Sequence, residues 1–349
     1  MNKFNLKNLV RANVQRLKPY SSARDEYKAT GDAMTFLDAN ENPFENGVNR
    51  YPDPQQRELK LTLAKLKNLS SKQILLGNGS DEVLDLLFRS FCEPGIDNVI
   101  TLPPTYGMYK VLAEINAIEN REVLLTEEFQ LDVKSILNSV DQNSKLLFIC
   151  SPNNPTGNAI DARNIKTLLE NFSGIVVIDE AYIDFSSYES WITFLDLYPN
   201  LVITQTLSKA YGMAGIRLGI CYASEAIISV LNKIKPPYNV NELTQQKALE
   251  RVLAVDEVFD EVEHILKERN SLLKNLETIN FIEKIYPTDA NFILVKVDNA
   301  SLRYNELLAK GIVIRNRNTQ PLCENTLRFT IGTAQENEKL IEALHNLDN

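Results

Sequence analysis

KLLFICSPNNPTGNAIDARNIKTLLENFSGIVVIDEAY, residues 145–182, carries a strand, a loop, a helix and a second strand, and this order decides the fold. Residues 145–150 and 174–178 are apolar almost without a break. A strand with one wet face alternates apolar and polar residues. Unbroken apolar runs separated by a helix instead mark strands buried on both faces of a mainly parallel sheet. Between them lie SPNNPTG (151–157), a turn-rich loop, and a helix through Leu168 and Leu169. The second strand ends in an acid, Asp179.

The same alternation recurs in both directions. Residues 74–91, ILLGNGSDEVLDLLFRSF, read as a short strand, a glycine turn and a helix. Ser80 is predicted to cap that helix, with Asp81 and Glu82 favouring its first turn and Val83, Leu84, Leu87 and Phe91 forming one apolar face. A strand, a glycine turn and a helix N-terminus make an anion site, although this is neither a Walker A loop nor GxGxxG. NVITL (98–102) is a strand followed by the loop and helix PPTYGMYKVLAEI; LVITQ (201–205) and IRLGICYA (216–223) are further strands. Ligands on such sheets lie beyond the carboxyl ends of the strands. Asp179, Asn154, Ser80 and Lys209 each stand at or just after such an end.

Residues 206–219, TLSKAYGMAGIRLG, set two cations, Lys209 and Arg217, among Ala210, Gly212, Ala214, Gly215 and Gly219. Glycines there let backbone approach a ligand. A desolvated lysine has a lowered pKa and can form a Schiff base with a carbonyl. A surface lysine in a glycine-rich turn is equally consistent with this stretch alone.

The 349 residues suit one large domain and a smaller one. Residues 1–30 read as a polar arm, packing with the small domain or a dimer partner; 31–243 as the large domain; 244–349 as the small one. Residues 38–54 form a long Asn- and Pro-rich loop, ahead of a helix over 54–69. KIKPPYNVNEL (233–243) breaks the α/β pattern, and one helical period then runs from Leu249 to Leu276. NFILVKV (291–297), GIVIRN (311–316) and TLRFTIG (326–332) read as strands of an α+β domain holding Arg315, Arg317 and Arg328.

A net charge of −9 argues against nucleic acid as a partner. No apolar stretch suits a signal peptide or a membrane span, so a cytoplasmic protein without a membrane partner is expected. Cys92, Cys150, Cys221 and Cys323 have no CxxC spacing and read as reduced, buried thiols. With two histidines, His264 and His345, a histidine-rich metal site is not expected.

An acid at one strand end, a lysine at a later one and a helix N-terminus suggest pyridoxal phosphate: an imine to the lysine, a carboxylate on the pyridine nitrogen, and the phosphate on the helix and Arg217. SPNNPTG, DEAY and TLSKAYGMAGIRLG, in this order, resemble the fold-type I pyridoxal-phosphate aminotransferases. Adding DANENPF, RYPDP, GNGSDE, FCEPG, PPTYGMY, DEAYIDF, KPPYN and LRFTIGT, the chain is similar to the histidinol-phosphate aminotransferase family from KPYSSAR to residues 332–333. The resemblance implies a mainly parallel, seven-stranded sheet flanked by helices, plus a smaller α+β domain. It implies that Lys209 carries the cofactor and shuttles the proton, that Asp179 pairs with the ring nitrogen, and that Asn154 and Tyr182 bond the ring oxygen, with Lys209, Asp179 and Tyr182 at the chemistry. Tyr106 would stack on the ring. Ser80, Asp81, Ser208 and Arg217 would hold the cofactor phosphate, together with Tyr51 from the other subunit of a homodimer. Arg328 would clamp the substrate carboxylate, and Arg315 and Tyr20 the substrate phosphate.

The implied reaction is transamination between L-histidinol phosphate and 2-oxoglutarate. One pocket then takes a phosphate and a carboxylate in turn, which an arginine fork suits. Alternatives on the same fold are an aromatic amino acid aminotransferase and a threonine-phosphate decarboxylase. A cofactor-binding regulator is a third class; it calls for an appended recognition domain, for which the arm is too short, and does not need Lys209 and Asp179 intact.

Overall fold

The computed structural model describes residues 4–19 and 35–348. Among them, seven strands make one sheet: β1 (Ile74–Asn78), β2 (Asn98–Thr101), β3 (Glu119–Glu122), β4 (Ser144–Cys150), β5 (Ile175–Asp179), β6 (Leu201–Thr206) and β7 (Leu218–Ala223). Their order is β1-β7-β6-β5-β4-β2-β3. β7 runs antiparallel to both neighbours, and every other pairing is parallel. This is the mainly parallel α/β sheet that the apolar runs implied.

β4 sends Leu146, Phe148 and Cys150 into one apolar cluster and Leu147 and Ile149 into the other. β5 divides in the same way, Ile175 and Val177 against Val176 and Ile178. Both faces are covered, so neither strand alternates in sequence. The helix Gly79–Phe91 buries Val83, Leu84, Leu87 and Phe91 as its period requires. It starts two residues earlier than expected: Asn78 is the N-cap, and Ser80 sits inside the first turn. Leu9, Val10 and Val14 of the N-terminal arm pack into the cluster that holds this helix.

The direction of β7 matters for the site. An antiparallel strand begins at the edge where its parallel neighbours end, so Arg217, just before β7, arrives beside the residues that follow β1 and β6. The Gly79 N–H donates to the Arg217 carbonyl at 2.8 Å. A Cβ on Gly219 would lie 2.2 Å from the Ser80 nitrogen, so only glycine allows this close approach of β7 to the helix start.

The second sheet comprises β8 (Ile282–Ile285), β9 (Phe292–Val297), β10 (Arg315–Asn316) and β11 (Thr326–Thr330), in the order β10-β11-β9-β8 and antiparallel throughout. The helix Val255–Leu276 and the C-terminal helix Ala334–His345 cover it through a third cluster. The single helical period expected through 249–276 is two helices, Glu242–Leu253 and Val255–Leu276. Ala254, at φ −92° and ψ 40°, leaves the helical region and lets the first pack on Arg57–Lys67 and the second under the small sheet. The four cysteines are free and buried. No helix among the described residues is long and apolar enough to cross a membrane.

Candidate active site

A cavity of about 480 Å³ runs along the carboxyl edge of the large sheet and is closed on one side by β10, β11 and the loop between them. Lys209, Asp179, Tyr182, Asn154, Tyr106, Ser80, Asp81, Ser208, Arg217, Arg328 and Arg315 all line it. They come from segments up to 248 positions apart in sequence, 328 minus 80.

Asp179 is the last residue of β5 and is 4% exposed. Its Oδ2 accepts from the Tyr109 hydroxyl at 2.7 Å, and its Oδ1 from the Ala181 N–H at 3.1 Å. Burial pushes its pKa up, and these two donors oppose that shift. Lys209 follows β6 in a tight turn. The Thr206 hydroxyl donates to Ser208 Oγ at 2.9 Å and accepts the Ser208 N–H at 3.1 Å, which fixes the backbone just ahead of the lysine. Lys209 reaches into the open cavity, with Nζ 5.6 Å from the centre of the Tyr182 ring. The low-dielectric walls, and after them the charge of Arg328, draw its pKa below the ordinary lysine value.

The loop 151–157 is anchored by Asn153, which is buried and donates to the Pro104 carbonyl and to Thr156 Oγ1 at 2.9 and 2.8 Å. Asn154 is thereby left to face the cavity, where its Oδ1 accepts from Arg328 Nη1. At the other end, the Tyr106 hydroxyl donates to Asp81 Oδ1 at 3.0 Å, and Arg217 Nη2 lies 3.8 Å from Asp81 Oδ2. Burial, and after it the neighbouring Asp81, pushes the Tyr106 hydroxyl pKa up.

Three arginines converge because of strand geometry. Arg315 is the Cα partner of Arg328 across β10 and β11, so the two side chains share a face. Arg317 is two residues on from Arg315, and its N–H donates to the Thr326 carbonyl at 2.9 Å, prolonging the ladder on that face. The Arg328 guanidinium also lies over Phe292, 4.8 Å from its ring centre. Burial, then the neighbouring Arg317, draws its pKa down to about 10.

Tyr51, expected to act from the other subunit, does not line the cavity of its own chain. Tyr51 stacks on Tyr238, ring centres 4.5 Å apart, is 51% exposed, and borders a separate cavity of about 460 Å³ with Asn241 and Leu243. Tyr20 lies outside the described residues. Tyr109, conversely, was not singled out: fully buried, it stacks on Phe148 and meets Tyr106 edge-on at 5.6 Å. Its place in PPTYGMY gave the only signal, since a helix-face tyrosine in sequence looks like any core aromatic. No cluster of three or more His, Cys, Asp or Glu suited to a metal occurs among the described residues.

A buried acid, a lysine of lowered pKa, a helix N-terminus with an arginine, and a group of arginines beyond them suit the handling of an amine and of anions. Comparison with known proteins points the same way. The family model for aminotransferase class I and II matches residues 36–344. The chain is 67% identical to a histidinol-phosphate aminotransferase of Flavobacterium johnsoniae over 349 residues, all of both chains. It is 55% identical to one of Parabacteroides distasonis over 342 residues, 98% of this chain and 99% of the other. The crystal structure of the histidinol-phosphate aminotransferase from Clostridium acetobutylicum superposes with a TM-score of 0.80 at 26% identity, covering 86% of this chain and 91% of that one. The Sinorhizobium meliloti histidinol-phosphate aminotransferase, solved in complex with pyridoxal-5'-phosphate, has the same fold, with a TM-score of 0.78 at 22% identity over 85% and 84% of the two chains. The chain belongs to the aminotransferase class I and II family.

Proposed function

We propose that this chain is a pyridoxal-phosphate-dependent transaminase that moves the amino group of L-histidinol phosphate to 2-oxoglutarate, giving imidazole acetol phosphate and glutamate, a step of histidine biosynthesis. The observation that carries this is the set of charges lining one cavity: the buried Asp179, the Lys209 amine and the three arginines Arg315, Arg317 and Arg328. Full-length likeness to histidinol-phosphate aminotransferases supports it.

The donor set fits the cofactor. When bound, pyridoxal phosphate supplies an electron sink for the substrate's Cα–H bond. Asp179 would pair with the ring nitrogen and keep it protonated. Asn154 and Tyr182 would bond the ring oxygen, and Tyr106 would stack on the ring. The helix N-terminus at Ser80 and Asp81, with Ser208 and Arg217, would hold the cofactor phosphate. Lys209 would anchor the cofactor and, as a free amine, take and return the Cα proton. Arg328 binds the carboxylate of glutamate, and Arg315, with Tyr20, the phosphate of histidinol phosphate. Residues 31–243 form the large domain that holds the cofactor, and 244–349 the small one. We place the enzyme in the cytoplasm, which its four free, buried thiols support.

Single-turnover reduction of the cofactor absorbance, donor by donor, tests the function. L-Histidinol phosphate is expected to exceed histidinol and phenylalanine in kcat/KM by roughly 10- to 100-fold, the worth of a charge-assisted contact to its phosphate. Phenylalanine as the best donor, or carbon dioxide release from threonine phosphate, would replace the assignment by one of the alternatives.

The active site is shared across a homodimer. Tyr51 is half exposed, in a loop that also bares Leu37, Phe44 and Val48, as a segment reaching beyond its own subunit does. Its hydroxyl would donate to the cofactor phosphate held by the other protomer. Hybrid dimers of Tyr51→Phe and Lys209→Ala chains check this. Acting in trans, one site of the hybrid carries both lesions and the other neither, so half the sites keep wild-type cofactor affinity and activity. If every lysine-bearing site shows the weakened cofactor binding of Tyr51→Phe, Tyr51 acts within its own subunit.

A further inference from the structure

We propose that Arg317 is a specificity-determining residue, which makes the arginine end of the cavity a site for a dianion and so favours a phosphate-bearing amine over an unphosphorylated one. It rests on the transaminase function proposed above and adds the residue that selects its phosphorylated substrate.

Arg317 is held where Arg315 and Arg328 already point, by the strand pairing that extends from β10 through its N–H to Thr326. Its Nε is buried and has no hydrogen-bond partner among the described residues, and the same is true of Arg328 Nε. The ionisable groups acting on Arg328 are Arg317, Tyr182 and Arg315, and on Arg317 they are Arg315, Tyr182 and Cys323; neither set includes an acid. A guanidinium does not shed its proton at neutral pH, so the strand pair gathers three cations, and the groups acting on Arg317 and Arg328 include no carboxylate among the described residues. Buried donors left without an acceptor are costly. The missing partner is an anion.

Charge and acceptor number decide which anion. A carboxylate carries one charge and two oxygens, and one guanidinium fork satisfies it. Arg328, with Arg315 on the same face, is sufficient for that. A phosphate monoester carries nearly two charges and three terminal oxygens, and can engage a third guanidinium. Arg317 is surplus for a carboxylate and is needed for a phosphate. Its removal also relieves repulsion on Arg328, so a carboxylate substrate is expected to lose much less.

The test uses the cofactor-loaded enzyme. Single-turnover kcat/KM is measured for L-histidinol phosphate, histidinol and glutamate, and inorganic phosphate is titrated as a competitor. Arg317→Gln is expected to lose roughly 10- to 100-fold on the phosphorylated donor and less than about 3-fold on histidinol, with a weaker phosphate inhibition constant to match. Arg317→Lys, which keeps the cation but not the fork, is expected to fall between. If wild type prefers the phosphorylated donor and Arg317→Gln keeps the same ratio, Arg317 is not the selector and the transaminase function stands. If wild type itself shows no such preference, the function falls and this assignment with it. If Arg317→Gln does not fold, Arg317→Lys decides: a raised phosphate inhibition constant supports the assignment, and an unchanged one overturns it.

Discussion

Lys209→Ala is expected to bind pyridoxal phosphate and to lose turnover by about 10⁴-fold or more, the combined worth of an anchoring nucleophile and a positioned proton carrier. The cofactor is expected to stay because the groups proposed for its phosphate, Arg217 and the helix start, are untouched by the substitution. Turnover is lost because no other lysine lines the cavity among the described residues. The lysine's own pKa gives a second check. Walls and the Arg328 charge lower it, so the free amine prevails at a lower pH than in an ordinary lysine. The wild-type half-reaction should therefore speed up as pH rises through a value below 10.5, and Lys209→Ala should lack that rise. Single-turnover rates across pH read both effects, and a variant within ten-fold of wild type would remove Lys209 from the chemistry.

Asp179→Asn comes next in size. The substitution keeps the shape and one acceptor for Tyr109 or Ala181 but removes the charge proposed to pair with the ring nitrogen. The expected loss is several kcal/mol of transition-state stabilisation, about 10³-fold in rate or more, with the cofactor still bound. Stability should move the other way. Burial raises the Asp179 pKa, and a carboxyl whose folded pKa is raised stabilises the fold only while protonated; that contribution is lost as pH rises through the folded value. Well above that value, the ionised Asp179 is a cost to the cofactor-free protein, so cofactor-free Asp179→Asn is expected to melt no lower than wild type. A large fall in rate together with a fall in Tm would make Asp179 a structural residue. Near-normal turnover would refute its pairing with the ring.

Position along strands made much of this legible in sequence. Asp179, Asn154, Ser80 and Lys209 stand at strand ends, and a parallel sheet gathers such ends at one edge. What sequence does not encode locally was lost. The reversed direction of β7, which delivers Arg217, depends on partners in β1 that lie 140 or more positions away, 218 minus 78 for the Leu218–Asn78 pair. β3 and β8, ENRE and IEKI, lie at sheet edges, where charge is tolerated and no apolar pattern is needed. GIVIRN pairs only at Arg315 and Asn316, because a two-residue strand satisfies the short ladder with β11. Tyr109 stayed hidden because its hydroxyl meets an acid 70 residues on, a purely tertiary pairing. The convergence of Arg317 with Arg315 and Arg328 likewise needed the strand register.

Borohydride reduction of the cofactor-loaded enzyme, followed by peptide mapping, tests the centre of the account. The reduced cofactor should be found on the peptide containing Lys209, in stoichiometric yield and absent from Lys209→Ala. An adduct on Lys235, or on any other lysine, would contradict it.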